Sequence, residues 1–312
     1  MGWLARELLR AGTLLWLASL AAFAVIRLMP ADPAVITLLA FHQPVSDEAV
    51  AALRAGWGLD RPLVEQYLRW LGDFVAGDWR RSFRTGEPIR VEILQRLPVS
   101  LAIGLGGLVV ALAAALPLAE AAARRPHGLA DRALDALTLG AQAVPAFWLG
   151  AVLIWLFAVE LAWLRPIAGA GAERYVLPIA IVALSGIGPL AAVYRAGLAD
   201  VARSGYFAVA LAKGSGREAA LARHGRRYAA TGLAAALTAE AGWVIGGTAV
   251  VEVVFGLPGI SQFLVESLAL RDYFVVQAYL MVSVAWMLGV ALAAQVARRL
   301  LDPRDRPLGA AS

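Results

Sequence analysis

Six long apolar stretches dominate this chain and leave little choice of fold class. Each has about the 20 residues that a helix needs to cross the hydrocarbon core of a bilayer. A backbone in lipid must satisfy its own polar groups, and a helix does so within one segment. The composition agrees, because 60% of the residues are hydrophobic, against roughly 45–50% in a soluble domain. The sequence therefore predicts an all-α polytopic membrane protein with six transmembrane helices, at about residues 9–29, 97–122, 137–160, 176–195, 231–255 and 274–297.

Positive residues gather in the short connections on one side of these spans. Arginines are frequent between the second and third spans, in residues 196–230 and after residue 297, whereas residues 161–175 and 256–273 carry few. Cytoplasmic connections of membrane proteins carry an excess of Lys and Arg. We therefore expect both termini and the arginine-rich connections to be cytoplasmic.

The first apolar stretch has two interpretations. Arg6 and Arg10 precede it, as positive charges precede the apolar run of a secretory signal peptide. The run is long for a signal peptide, however, and no clear small-residue cleavage site stands before Pro30. We expect a retained helix, although a cleaved one would leave the other five spans with the same orientation.

Residues 30–96 form a polar segment between the first two spans, on the external side. Ser46, followed by two acidic residues, predicts the start of a helix, and Gly56 its end. A second helix is predicted from about Asp60, with Pro62 in its first turn. A small helical cap on the outer membrane surface is expected, and a plain solvated loop is the alternative. The apolar face of the second helix would contain Leu63, Tyr67, Trp70, Leu71 and Phe74, at steps of three and four residues.

These patterns divide the chain into four regions. Residues 1–29 are the N-terminal end with the first helix, and residues 30–96 are the external segment. Residues 97–297 are the transmembrane core, which includes the cytoplasmic loop 196–230. Residues 298–312 are a cytoplasmic tail.

Several kinds of chemistry are excluded by residues that the chain lacks. It has no cysteine, and its three histidines, at positions 42, 127 and 224, do not have the spacing of metal ligands. Its single lysine, Lys213, follows Ala212, so the Gly-Lys pair of a phosphate-binding loop is missing. We therefore expect no catalytic residue, no metal and no cofactor in this chain. Energy for uphill transport would come from an ion gradient or from a partner.

Acidic residues inside the spans are few. Glu240 falls near the middle of the fifth span, and Glu252 lies toward its outer end. Ionisable groups are costly inside a membrane and are usually retained for function. Both are predicted to line a translocation path. A single mid-span Glu could instead hydrogen-bond to a neighbouring helix in its protonated form, and Glu252 could pair with Arg271 or another residue of the external cap.

The loop 196–230 has the pattern of two short helices around a glycine hinge. Gly214, Ser215 and Gly216 interrupt the helical pattern, and Arg217 begins the second helix. Basic residues follow, and positive charge near a helix C-terminus is favourable. The residues alone leave two interpretations open: a docking element for a partner protein, and an amphipathic hairpin on anionic lipid headgroups.

The stretch from Gly205 to Gly232 resembles the cytoplasmic "EAA" loop of ABC-importer permease subunits, in the form found in dipeptide, oligopeptide and nickel importers. "GLDRPLVEQYLRWLGDFVAGDWRRSF", "VPAFWLGAVLIWLFAVELAWLRPIAG", "IGGTAVVEVVFGLPGISQFLVESLALRDYFVVQ" and "LDPRDR" resemble other parts of the same permeases, in the same order. The loop departs from the family pattern at Gly205, Ala208, Leu211, Tyr228 and Gly232.

The resemblance implies the permease fold of a type I ABC importer in the bacterial inner membrane. Its implied partners are a second homologous permease subunit, two ATPase subunits that bind ATP and Mg²⁺, and an external substrate-binding protein. The cargo would be a peptide, nickel or a metal chelate. An ion-gradient-driven transporter or channel is the alternative function, and no role with nucleic acid is expected. The implied ATPase-docking residues are Tyr206, Ala210, Ala212, Lys213, Gly214, Arg217, Arg223, His224 and Arg227.

Overall fold

The computed structural model describes residues 2–27, 32–165 and 171–301, and all fourteen α-helices that it contains lie in these ranges. Two compact units are present, one from Met1–Val99 with Pro258–Leu288 and one from Ser100–Leu257 with Gly289–Ser312. The predicted all-α class is confirmed. The helices are α1 (Trp3–Arg27), α2 (Pro33–Ala40), α3 (Asp47–Trp57), α4 (Leu63–Ala76), α5 (Ile89–Arg124), α6 (Leu129–Ala143), α7 (Ala146–Ile154), α8 (Val176–Ala202), α9 (Gly205–Ala212), α10 (Arg217–Ala220), α11 (Arg226–Gly247), α12 (Ala249–Phe255), α13 (Ile260–Ala269) and α14 (Tyr273–Leu301).

In the part of the chain that the structure describes, five single helical segments are long and apolar enough to cross a membrane. They are Trp3–Ala24, Ile89–Arg124, Gly171–Ala202, Arg217–Gly247 and Tyr273–Leu300. Two further candidates are bent pairs, Leu129–Ala143 with Ala146–Glu160 and Ala249–Phe255 with Ile260–Ala269, so the described residues contain five to seven candidate spans. The predicted number, six, falls in this range and stays a prediction.

The third predicted span, 137–160, is wrong as one continuous helix. Its two parts meet at Val144 and Pro145 with a bend of 97°. Pro145 has no backbone N–H to donate, and its ring disfavours helical geometry at Val144, which is extended at φ −90° and ψ 121°. The fifth predicted span, 231–255, is likewise divided, because α11 ends at Gly247 and α12 begins after Thr248.

In the first unit, α4 packs against α1 through aromatic side chains. Phe23 of α1 contacts Tyr67 edge-on at 5.5 Å between ring centroids, and Trp70 at 6.0 Å. The Tyr67 hydroxyl shares a buried hydrogen bond of 2.8 Å with Ser19. The predicted apolar face of α4 is therefore confirmed at Tyr67 and Trp70, but Leu63 is 61% exposed and lies outside it.

The predicted helix boundaries in residues 30–96 need small corrections. Ser46 caps α3 as expected, since its hydroxyl oxygen accepts from the Ala49 N–H at 3.2 Å. The helix passes through Gly56, however, and ends at Gly58, whose φ of 66° is left-handed. Pro62 precedes α4 rather than lying in its first turn. Helix α2 was not predicted, and the Asp32 carboxylate caps it by accepting from the Ala34 N–H.

In the first unit, a network of buried polar groups connects residues 82–84 to the turn between α13 and α14. The Ser82 hydroxyl donates to Asp272 at 2.6 Å, and the Arg84 N–H donates to the same carboxylate oxygen at 3.3 Å. The Arg84 guanidinium also pairs with Glu266 at 3.0 Å. Burial raises the pKa of the Asp272 carboxyl above its usual range, against these hydrogen bonds.

In the second unit, small residues bring α5, α6, α8 and α11 close together. The core contains buried alanines of α5 and α8 with Leu134, Leu190 and Tyr194. A Cβ added at Gly197 of α8 would lie 2.8 Å from the Ala229 Cα of α11, so these two backbones are in near contact. Small residues at such crossings allow the close approach on which helix packing in membranes depends.

Candidate functional site

Helix α9 begins where the long helix α8 stops. Arg203 closes α8, and Ser204 adopts an extended conformation at φ −77° and ψ 150° before α9 starts at Gly205. The Ser204 hydroxyl donates back to the Val201 carbonyl at 2.6 Å. The predicted loop 196–230 therefore starts too early, because α8 continues to Ala202. Its first short helix is α9.

The turn after α9 requires a glycine. The Gly214 N–H donates to the Leu211 carbonyl at 2.9 Å, and the Ser215 N–H donates to the Ala210 carbonyl at 3.2 Å. These two bonds form a Schellman motif, the helix C-terminal turn in which the residue after the C-cap, here Gly214 after Lys213, has a left-handed backbone. Gly214 has φ 86°, a conformation that costs little only for glycine. The predicted glycine hinge is confirmed in its geometry.

The second short helix, α10, continues into α11 through a wider helical turn. Residues Leu221–Gly225 have π-helical hydrogen bonding, which often occurs at functional sites. Here Gly225 lies against α8, since a Cβ on it would be 3.0 Å from Leu198 Cδ2. On the inner side of α9, the Phe207 side chain packs with Val201 of α8 and with Ala220, the last residue of α10. Only 2% of Phe207 is exposed.

The outer side of α9 is apolar and exposed. Tyr206 is 52% exposed and Val209 53% exposed, and Leu211 also faces outward. The Tyr206 ring meets the His224 ring edge-on at 6.3 Å, which joins the two halves of the segment. Among the other predicted docking residues, Ala210 is half-buried, while Ala212, Lys213, Gly214, Arg217, Arg223, His224 and Arg227 are exposed. We call the residues 204–225, with this outer face, the coupling segment.

Ion pairs brace the helices that carry the coupling segment. The Arg226 guanidinium, at the start of α11, donates to Glu120 near the end of α5 at 2.7 Å. Arg195 of α8 pairs with Asp131 and, at 3.0 Å, with Asp135 of α6. Sequence reasoning missed these partners, because residues so far apart in the chain carry no local signal of pairing.

The predicted path residue Glu240 lines a cavity of about 200 Å³ in the second unit. Most of the lining is apolar or small, and Glu240 is the one ionisable side chain among the described residues that form it. Its carboxylate is half-buried, and no hydrogen bond or ion pair joins it to any residue within the described ranges. The wall comes from α5, α7, α8, α11 and α12, with Ser185, Trp243 and Thr248 as further lining residues.

Glu252, the second predicted path residue, has a different environment. It is 0% exposed, and the Thr248 hydroxyl donates to its carboxylate at 2.6 Å. The Thr248 side chain is also buried, so this pair lies inside the protein at the junction of α11 and α12. The structure therefore separates the two carboxylates: only Glu240 faces a cavity.

Comparison with known proteins gives matches over nearly the whole chain. A family model described as "Binding-protein-dependent transport system inner membrane component" matches residues 107–307, and a model of the corresponding N-terminal region matches residues 1–104.

Curated relatives match over most of their own length. The oligopeptide transport system permease protein AppB of Bacillus subtilis is 30% identical, over 90% of this chain and 92% of the relative. The glutathione transport system permease protein GsiC of Escherichia coli K12 is 30% identical, over 94% of each chain. A probable peptide ABC transporter permease of Sinorhizobium fredii is 28% identical, over 91% of this chain and 92% of the relative.

Proposed function

Because this chain belongs to the family of inner-membrane components of binding-protein-dependent transport systems, we propose that it forms half of the pore of an ATP-driven peptide importer. The other half would be a second homologous permease subunit. An external binding protein delivers the cargo, and two ATPase subunits bind ATP and Mg²⁺. The relatives are named for peptides and for glutathione, which favours a peptide cargo. Uptake of nickel or a metal chelate stays a prediction.

The observation that carries this proposal is the coupling segment. A rigid pair of short helices with an exposed apolar outer face suits insertion into a groove on an ATPase subunit. Tyr206, Val209 and Leu211 would be buried by the partner, and Lys213 and Arg217 would lie at the rim. Apolar residues in the centre of a protein interface with charged residues around them are the usual arrangement.

The orientation follows from the same assignment. The coupling segment must face the cytoplasm to meet an ATPase, and the loop 196–230 that contains it carries five arginines and the single lysine. With the four predicted spans before it, an even number, the N-terminus lies on the same side as the segment, and the arginine-rich tail after the last helix favours the cytoplasm for the C-terminus as well. Residues 302–312 of that tail lie outside the described residues.

The ion pair between Arg226, which directly follows the coupling segment, and Glu120 transmits movement of the segment to the membrane-spanning helices. Glu120 belongs to α5 and Arg226 to α11, so the pair joins the segment to a membrane-spanning helix. Movement of an ATPase would therefore shift α5, α8 and α11 together, and the cavity around Glu240 lies between these helices. We assign Glu240 to the translocation path on this ground.

The test is ATP-driven uptake by the complete assembly in proteoliposomes, with peptide supplied through the binding protein. We expect Val209→Glu to abolish uptake and to release the ATPase subunits, because it places a charge at the centre of the docking face. Val45→Glu is the matched control, since Val45 is a 47% exposed valine in residues 30–96.

Uptake that survives Val209→Glu with the ATPases still bound would overturn the docking role. Uptake that needs no ATP and stops when the proton and sodium gradients are collapsed would instead favour the ion-driven alternative.

A further inference from the structure

Glu240 is a carboxylate in a membrane-spanning helix with no partner among the described residues. Such a charge is costly in a membrane unless an opposite charge or water compensates it. The proposed function makes Glu240 part of the path but does not say what its charge binds. The lining of the cavity gives the answer.

Hydrogen-bond acceptors prevail among the polar side chains that line this cavity. The Ser185 hydroxyl donates to the Val182 carbonyl at 2.8 Å, so only its oxygen lone pairs are left for a ligand. The Thr248 hydroxyl proton is directed to Glu252. Among the described residues that line the cavity, the Trp243 indole N–H is the only side-chain donor left for a ligand. A ligand that complements this lining is a cation rich in donors.

Trp243 adds a second element that favours a cation. It lies three residues after Glu240 on α11, so the two side chains are neighbours on one face of the helix. The indole is 62% exposed and lies close to Gly247, where a Cβ would be 3.1 Å from Trp243 Cδ1. A cation held by Glu240 can thus also meet an aromatic face, which attracts ammonium groups.

The site does not suit a metal ion. Hard divalent cations take about six or more oxygen ligands, whereas the cavity offers one carboxylate and one accessible hydroxyl. No group of three His, Cys, Asp or Glu residues that could hold a metal occurs in the part of the chain that the structure describes. An organic cation with an apolar body fits both the carboxylate and the apolar wall.

We infer that Glu240, Trp243 and Ser185 bind the ammonium group of a peptide, with the adjoining side chain against the apolar wall. This inference rests on the proposed peptide transport. The cavity of about 200 Å³ is below the ~300–1,000 Å³ of sites that enclose a whole small ligand. It therefore takes one end of an extended substrate, and the remainder continues into the open path.

The first experiment measures binding to the permease–ATPase complex in nanodiscs, without the binding protein, as a shift in melting temperature. The probes are trialanine, N-acetyl-trialanine and N-acetyl-Ala-Ala-Lys. We expect trialanine to stabilise the wild-type complex and N-acetyl-trialanine to have at least tenfold weaker affinity. If N-acetyl-Ala-Ala-Lys also stabilises the complex, the site accepts any primary ammonium group. If it does not, the site is specific for the ammonium at the peptide N-terminus.

The variants are Glu240→Gln and Trp243→Leu, with Glu160→Gln as the matched control outside this cavity. Glu240→Gln should not lower the melting temperature of the unliganded complex, because no ion-pair partner among the described residues is lost and a costly charge is removed. It should lose at least tenfold in affinity for trialanine. Trp243→Leu should weaken binding less, and Glu160→Gln should leave it unchanged.

The inference is overturned if trialanine does not shift the wild-type complex, if its N-acetyl form binds equally well, or if Glu240→Gln binds trialanine as the wild type does. Failure of the proposed function is a separate result: no ATP-dependent peptide uptake by wild-type proteoliposomes that contain the binding protein. If wild-type uptake is normal and trialanine shifts the melting temperature of Glu240→Gln as it does that of the wild type, only the ammonium site is refuted.

Discussion

Replacing Gly214 by serine should open the turn of the coupling segment, and replacing Gly216 should not. Gly214 has φ 86°, whereas Gly216 has φ −61° and ψ 148° and precedes the first residue of α10. No atom lies within 4 Å of a Cβ added at either position. The two substitutions therefore add the same side chain to open space and differ only in the backbone conformation.

The magnitude follows from that difference. A Cβ in the left-handed region costs about 1–2 kcal/mol, so Gly214→Ser should reduce the ratio of closed to open turn about 5- to 30-fold. At Gly216 a serine adopts the observed angles without strain, and its hydroxyl can cap α10. Serine is at least as good a cap as glycine, so the expected change there is zero or a small gain.

Hydrogen exchange of the α9 backbone amides measures the opening directly, in the assembled transporter. We expect these amides to exchange about 5- to 30-fold faster in Gly214→Ser, as worked out above from the left-handed strain. Peptide-stimulated ATPase activity should fall in parallel, while Gly216→Ser behaves as the wild type. Equal protection of α9 in the two variants would show that the left-handed residue does not hold the turn.

Two further predictions concern charged groups. Glu120→Arg and Arg226→Glu should each lower the peptide-stimulated ATPase activity, and the double variant, which exchanges the charges of this ion pair, should restore it. A double variant with activity as low as that of the single variants would exclude a direct pairing role. Burial raises the pKa of Asp272, so this carboxyl binds a proton more readily in the folded protein than in the unfolded chain. Its protonation therefore adds to the free energy of unfolding at low pH, and this contribution is lost as the pH rises through the raised pKa. Acidification from pH 7.5 to 5 should therefore raise the melting temperature more in the wild type than in Asp272→Asn, and an identical pH dependence would refute this.

Local features of the fold could be predicted from the sequence because their causes are local. The length of an apolar run decides that a segment can span a bilayer, and the need for a left-handed residue marks Gly214 as a turn. Ser46 could be recognised as a helix cap for the same reason. The family could be predicted because several of its motifs occur in the right order along the chain, and the family models that match residues 1–104 and 107–307 confirm it.

Breaks inside apolar runs were harder to predict. Pro145 was visible in the sequence, but proline alone allows a small kink as well as the observed bend of 97°. The end of α3 was misplaced because Gly56 and Gly58 are equally good glycine signals, and the hydrogen bonds of the closing turn select the second. These choices depend on how neighbouring segments pack, which no short window of sequence contains.

By itself, the sequence determined that the chain is a helical membrane protein with a glycine-hinged loop, since chain length, apolarity and backbone sterics act within one segment. The tertiary structure alone decided what surrounds each of three acidic residues. Glu120 and Arg226 are 106 residues apart and form an ion pair. Glu252 is enclosed with Thr248, and Glu240, twelve positions earlier, faces a cavity. The three carboxylates are chemically alike, and their environments differ because helix packing gives one a cation, one a buried hydroxyl and one an open cavity.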